Sequence, residues 1–191
     1  MIQRESVEKR FSKFLDQIKD EGLRKKTLDI WLEAAKEGGW ESLEEIENVP
    51  FSLLTDCRGL NLMDHTCAVT EGAIALAKAQ KEHYPKMPYE IDFDRLIVGG
   101  LLHDVGKLLE IGKDGNGGYC KSRSGHCARH PISGAILAAR HGMSEEIVNT
   151  IACHAKEGIG RPQVVETVLI HQADFETFNP LVMMKKGELI L

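Results

Sequence analysis

The most apolar stretch of this chain, Leu96-Ile97-Val98-Gly99-Gly100-Leu101-Leu102, runs directly into a histidine and an aspartate, His103-Asp104. A helix without a polar face is a buried helix, so the two residues that close it are carried into the interior. An ionised carboxylate left there costs on the order of several kcal/mol unless it is paired or coordinated. A cation would supply the partner. Imidazole beside carboxylate suits a borderline transition metal such as Fe, Mn, Zn or Ni better than Ca²⁺, with Mg²⁺ admitted. His65 sits in a second apolar helical stretch and is expected on its buried face. Each residue also has a plainer reading. A buried histidine can be hydrogen-bonded core, and Asp104 can cap the turn that follows it.

The rest of the pattern is helical, so an all-α bundle is expected. Val7, Phe11, Phe14, Leu15 and Ile18 recur at helical spacing, as do Leu28, Trp31, Leu32 and Ala35 before Gly38-Gly39 stops that helix. Ser42 with Glu45 reads as a capping box. Asn61 is a plausible N-cap for a helix that puts His65, Val69, Ala73 and Leu76 on one face. A Pro-bearing turn over 84–88 precedes a helix from Asp94 to Asp104 that ends at Gly106. Residues 112–125 hold five glycines without an apolar period and read as a loop, with short strands allowed there or in the C-terminal tail. Pro131 suits the first turn of a helix ending near Gly142, Ser144 with Glu145 and Glu146 opens another, and Pro162 opens the last, through Asp174. The expected division is a helical extension over 1–55, packed on a domain over 56–191.

Charge narrows the function. A net charge of −5 argues against a general nucleic-acid surface. Between Val105 and Arg129 the balance reverses, with Lys107, Lys113, Lys121, Arg123 and Arg129 against Glu110 and Asp114, which favours a local anion. No apolar run reaches the ~20 residues of a membrane span, and Met1-Ile2-Gln3-Arg4-Glu5 is followed by no signal-peptide core. The five cysteines are odd in number and form no CxxC pair, which fits reduced thiols and a cytoplasmic location. A zinc loop from Cys120, His126, Cys127 and His130 matches no common zinc spacing.

Leu101-Leu102-His103-Asp104-Val105-Gly106-Lys107 resembles the central signature of the HD superfamily of metal-dependent phosphohydrolases. Asp64-His65-Thr66-Cys67 resembles the upstream histidine of that pattern, and His171-Gln172-Ala173-Asp174 the downstream aspartate; the likeness runs from Arg58 to Phe178. It implies an all-α bundle in which His65, His103, Asp104 and Asp174 hold metal. Some members have only those four ligands and bind one ion. Others add two histidines and bind two. Here His130-Pro131-Ile132-Ser133-Gly134 resembles the His-Pro-x-x-Gly segment of the two-metal members, and His154 the next ligand. The resemblance therefore favours two ions bridged by Asp104, with one ion the alternative.

The match to the HD-GYP cyclic-dinucleotide phosphodiesterases is degenerate. In Cys153-His154-Ala155-Lys156-Glu157-Gly158-Ile159-Gly160-Arg161-Pro162 the Gly-x-Gly-x-Pro skeleton stands, but Cys153, Ala155 and Arg161 replace signature residues. The segment also resembles the HD domain of some exoribonucleases, whose additional nucleic-acid-binding domain is not expected here. The resemblance implies hydrolysis of a nucleotide or other small phosphoester by a metal-activated water. Asp104 would be catalytic. Lys107 would contact a phosphate oxygen unless it is only a solvated helix-end lysine, and Arg129 would bind the same anion. His171, one turn before Asp174, would support that ligand. Two other functions share the pattern, a di-iron oxygenase of HD type and a non-catalytic signalling or ligand-sensing module. A homodimer through the N-terminal helices is compatible with the sequence, and no membrane partner is expected.

Overall fold

The computed structural model describes residues 2–156 and 161–190. Helices dominate, as expected, beginning with α1 (Arg4–Leu15), α2 (Glu21–Gly38) and the short α3 (Leu43–Glu47). Val7, Phe11, Phe14, Leu15 and Ile18 are all buried. The Asp20 side chain accepts from Leu23 N–H to start α2, and Gly39 at φ 77° ends it. Ser42 caps α3 through Glu45 N–H, but the Glu45 carboxylate takes the N–H of Glu41 instead of that of Ser42. The box is thus shifted by one residue.

The central layer is α4 (Leu62–His83) and α5 (Phe93–Leu102), with Asn61 and Asp92 as their N-caps. On α4 the buried line runs His65, Val69, Ala73, Ala77, in steps of four, so Leu76 falls beside it and is 41% exposed. A one-turn helix, α6 (Lys107–Glu110), follows Asp104. The glycine-rich stretch is not a plain loop. Strands β1 (Ile111–Lys113) and β2 (Tyr119–Lys121) pair antiparallel. The Asp114 carboxylate closes their turn on the N–H groups of Asn116 and Gly118, both at 2.8 Å. Main-chain and Asx hydrogen bonds build this hairpin, which is why apolar periodicity gave no sign of it. Then come α7 (Arg123–Cys127), α8 (His130–Arg140) and α9 (Glu145–Cys153). The last helix, α10 (Val165–Lys186), starts three residues after Pro162 and continues well beyond Asp174, with Pro180 inside it. It packs on α4, α5 and α9.

The N-terminal helices do specific work on this layer. The last carbonyls of a helix lack intrahelical donors. Trp31 Nε1–H donates to the Leu101 carbonyl at 2.9 Å, and Trp40 Nε1–H to that of Leu108 at 2.8 Å. Both acceptors flank His103-Asp104 in sequence, so Trp31 and Trp40 brace the segment bearing that pair from behind. One apolar core joins Phe11 and Trp31 to Leu101, Leu102 and Val105. No described helix is long and apolar enough to cross a membrane.

Candidate metal centre

The same device places two of the histidines. His103 and His154 are the C-cap residues of α5 and α9, and each turns its ring back on its own helix. His103 Nδ1 lies 2.6 Å from Gly100 O, and His154 Nδ1 lies 2.8 Å from Ile151 O. A carbonyl only accepts, so Nδ1 carries the hydrogen and Nε2 is left with its lone pair. His65 reaches the same state through Thr177. That hydroxyl donates to Asp174 O at 2.9 Å and so faces His65 Nδ1, 3.3 Å away, as an acceptor. His130 Nδ1 lies 2.8 Å from the Glu110 carboxylate.

All four Nε2 atoms converge on Asp104, from two sides. Asp104 Oδ2 faces His65 at 3.3 Å and His103 at 3.4 Å, and His65 Nε2 is also 3.1 Å from Asp174 Oδ1. Asp104 Oδ1 faces His130 at 3.3 Å and His154 at 3.4 Å. These six side chains are the six expected from the sequence; His65, His103 and Asp104, and Asp104, His130 and His154, form two groups that share one carboxylate, each close enough to hold an ion, and Asp174 adjoins the first through His65. The centre is buried, yet Nε2 of His65, His103 and His154 and Oδ1 of Asp104 have no hydrogen-bond partner. Orphaned polar atoms cost about 1–3 kcal/mol each, and four of them gathered at the Asp104 carboxylate are a donor set for cations. A divalent metal therefore fits.

Close backbone approach makes this geometry available. A Cβ on Gly106 would lie 2.1 Å from His130 O, and one on Gly134 would lie 2.9 Å from the Ile151 side chain. The glycine after the His-Asp pair and the glycine of His-Pro-x-x-Gly thus let α6, α8 and α9 close on one another.

Charge at the centre follows its burial. Desolvation pushes the Asp104 carboxyl up, but the Lys107 ammonium and His103 outweigh it and hold it well below the usual carboxylate range. Asp174 behaves alike: burial raises it, and its hydrogen bond with His65 brings it down to about 2. Burial lowers His65, whereas Asp104 and Asp174 more than reverse this and raise it. Two carboxylates that favour a proton on this ring favour a metal ion in its place. His130 is lowered, chiefly by burial.

Lys107 does not point to solvent. Its Nζ is 2.5 Å from Asp104 Oδ2 and 5.6 Å from the centre of the Phe51 ring. Arg129 lies at the wall of the site with its Nε 2.6 Å from Glu110 Oε1. His171 does not support Asp174 as expected; its Nδ1 takes the orphan carbonyl of His154, 2.5 Å away, at the end of α9. The skeleton residues Gly158 and Gly160 lie outside the described residues. A cavity of about 430 Å³ opens over the centre, lined by His130, Asp174 and Glu110, the cations Lys107, Lys121, Arg129, Lys156 and Lys186, and the rings of Phe51, Phe175 and Phe178.

Two participants escaped the sequence reading. Glu110 is 6% exposed and bonds both the ring and the backbone N–H of His130. Its only signal was a carboxylate next to Leu108-Leu109. Phe51 stacks on His65 at 4.3 Å and fixes that ring's plane; nothing marked it in the sequence.

A family model matching more than half of the chain decides its family. The chain belongs to the HD domain family. That family's model matches residues 62–176, and the match bears out the helical fold. The chain is similar to the dihydroneopterin 2′,3′-cyclic phosphate phosphodiesterase of Methanocaldococcus jannaschii, at 29% identity over 168 residues, 86% of this chain and 66% of that protein. It is also similar to ribonuclease Y of Pseudothermotoga lettingae, at 33% identity over 116 residues, 61% of this chain but only 18% of that protein. Ribonuclease Y of Thermotoga maritima is 30% identical over the same length. No solved structure matches. Membership of the HD domain family and a phosphodiesterase relative support a hydrolase.

Proposed function

We propose that this HD domain is a two-metal phosphohydrolase that cleaves a small phosphorylated substrate, a nucleotide or a cyclic phosphodiester. The observation that carries the reading is the pair of donor groups on opposite oxygens of Asp104, with the Nε2 atoms of His65, His103 and His154 turned inward and unpartnered. In it His65, His103, Asp104 and Asp174 hold one ion, and Asp104, His130 and His154 hold the other. Fe, Mn, Zn or Ni match the nitrogen-rich set better than Mg. Such ions supply a nucleophilic water at neutral pH and offset charge on phosphoryl oxygens.

The chain's own residues do the rest. Lys107 places an ammonium beside the Asp104 carboxylate, where it would meet a non-bridging phosphoryl oxygen. Lys121, Arg129, Lys156 and Lys186 make the cavity attractive to an anion, which favours phosphoester chemistry over the di-iron oxygenase reading. Phe51, Phe175 and Phe178 would exclude water and pack against the organic part of the substrate. The cavity volume lies within the range of small-ligand sites. A cyclic phosphodiester is suggested by the name of the M. jannaschii relative. The reading keeps residues 1–55 as an extension braced on a domain over 56–191, and a cytoplasmic location, which five free cysteines fit.

The test is elemental analysis of protein purified without chelator or added metal, together with turnover of bis(p-nitrophenyl) phosphate, 2′,3′-cyclic nucleotides and nucleoside monophosphates. About two ions per chain and metal-dependent hydrolysis are expected. One ion that persists in His130→Ala would reduce the reading to a one-metal site. No ion after reconstitution, with no turnover, would overturn it.

A further inference from the structure

We propose that Glu110 is the positioning residue of the second ion, deciding whether the HD centre holds one metal or two. The inference rests on the two-metal reading. It comes from a difference among the four ring anchors. His65, His103 and His154 are held at Nδ1 by neutral oxygens, those of Thr177, Gly100 and Ile151. His130 is held by a carboxylate. A carboxylate on the far nitrogen raises imidazole basicity and locks the tautomer that offers Nε2 to a metal.

Glu110 is built in firmly enough for this. It ends α6, and Ser122 N–H donates to its carbonyl at 2.8 Å. A Cβ on Gly125 would lie 2.5 Å from the same carbonyl, so α7 packs directly on it. Oε2 receives both the backbone N–H of His130, at 2.5 Å, and its Nδ1–H, at 2.8 Å. Oε1 receives Arg129 Nε–H at 2.6 Å and faces Lys121 Nζ at 3.8 Å. One side chain therefore spans the hairpin, sets the ring of a proposed ligand, and holds two cations at the cavity wall. No other proposed ligand has a carboxylate behind it among the described residues, so the second ion should depend on Glu110 and the first should not.

The experiment is calorimetric titration of Mn²⁺ into metal-stripped wild type, Glu110→Gln, Glu110→Asp and His130→Ala, with thermal unfolding of each metal-free protein. Wild type should bind in two steps and His130→Ala in one. Glu110→Gln should keep the first step at wild-type affinity and weaken the second about 10- to 100-fold, and Glu110→Asp, which keeps the charge, should regain part of it. Co²⁺ absorption should show the same split, with the second equivalent's spectrum changed and the first unchanged. Wild-type affinity at both steps in Glu110→Gln would overturn the inference. So would parallel loss of both steps, which would make Glu110 merely structural. A single step in wild type, unaffected by His130→Ala, would instead bring down the two-metal reading beneath it.

Discussion

The two sides of Asp104 are built differently. On the Oδ2 side, His65, His103 and Asp174 come from α4, the end of α5 and α10, the central helices, and Phe51 covers His65. The anchors of its two histidines are neutral oxygens. On the Oδ1 side, His130 and His154 come from the start of α8 and the end of α9, and one anchor is the Glu110 carboxylate at the base of the hairpin. The first side is fixed by the packing that folds the protein. The second rests on contacts across the hairpin, and its His130 borders the cavity, as Asp174 of the first side also does. The first ion should accordingly bind more tightly, and changes in the second should register in turnover before they register in stability.

The largest expected effect is at the shared ligand. Asp104→Ala should remove both ions and lower turnover by at least ~10³-fold, since metal-ion catalysis supplies several kcal/mol and each 1.36 kcal/mol is tenfold. Retention of one ion would mean that the two sides do not share this carboxylate. The comparison is sharpened by a pair of variants. His103→Ala should abolish the tighter binding step, whereas His130→Ala should abolish the weaker one and cost roughly 10²-fold in turnover, about 2.7 kcal/mol. Equal loss of both ions in either variant would show a single cooperative unit.

The same division describes what could be read before the structure. His65, His103 and Asp104 were legible because apolar helices deliver them to the interior at fixed positions, and burial of a carboxylate is itself a signal; Asp174 was legible only by likeness to the downstream aspartate of the pattern. His130 and His154 were legible only by likeness to His-Pro-x-x-Gly and the ligand after it. Glu110 was not, because its partner is 20 residues away across the hairpin. The sequence allows short strands in the glycine-rich stretch but does not place them, for a related reason: hydrogen bonds around Asp114, not side-chain burial, create the hairpin. Helix starts and stops were read well where a cap residue marks them, as at Asn61 and Gly39. The start of α10 was misplaced because Val164, its N-cap, makes no side-chain bond.

Acid should separate the two anchors in metal-free protein. Glu110 is pushed up by burial but carried from 4.5 to about 2 by His130 and Arg129, and Asp174 also lies at about 2. A lowered folded-state pKa means that the unfolded chain binds the proton more readily. The stabilisation is therefore full above the ordinary carboxylate range and is lost as pH falls toward 2. His65, raised, acts with the opposite sign and gives up its contribution as pH rises through its folded value. Chemical denaturation of wild type with chelator should show stability falling below about pH 5, and Glu110→Gln should show a shallower fall. Identical acid limbs would mean that the Glu110–His130 bond contributes nothing without metal.

The smallest effect is expected where the first side looks weakest. His65 Nδ1 meets a hydroxyl rather than a carbonyl or carboxylate, at 3.3 Å, the longest of the four anchors. Thr177→Val keeps the side chain's shape and removes only that acceptor and its bond to Asp174 O. A neutral hydrogen bond is worth about 0.5–1.5 kcal/mol, and the Phe51 stack still holds the ring, so the first Mn²⁺ should weaken by less than about tenfold. Glu110→Gln on the other side should do more than this to the second ion. If Thr177→Val proves the more damaging, packing does not secure the first side, and the contrast between the two halves of the centre fails.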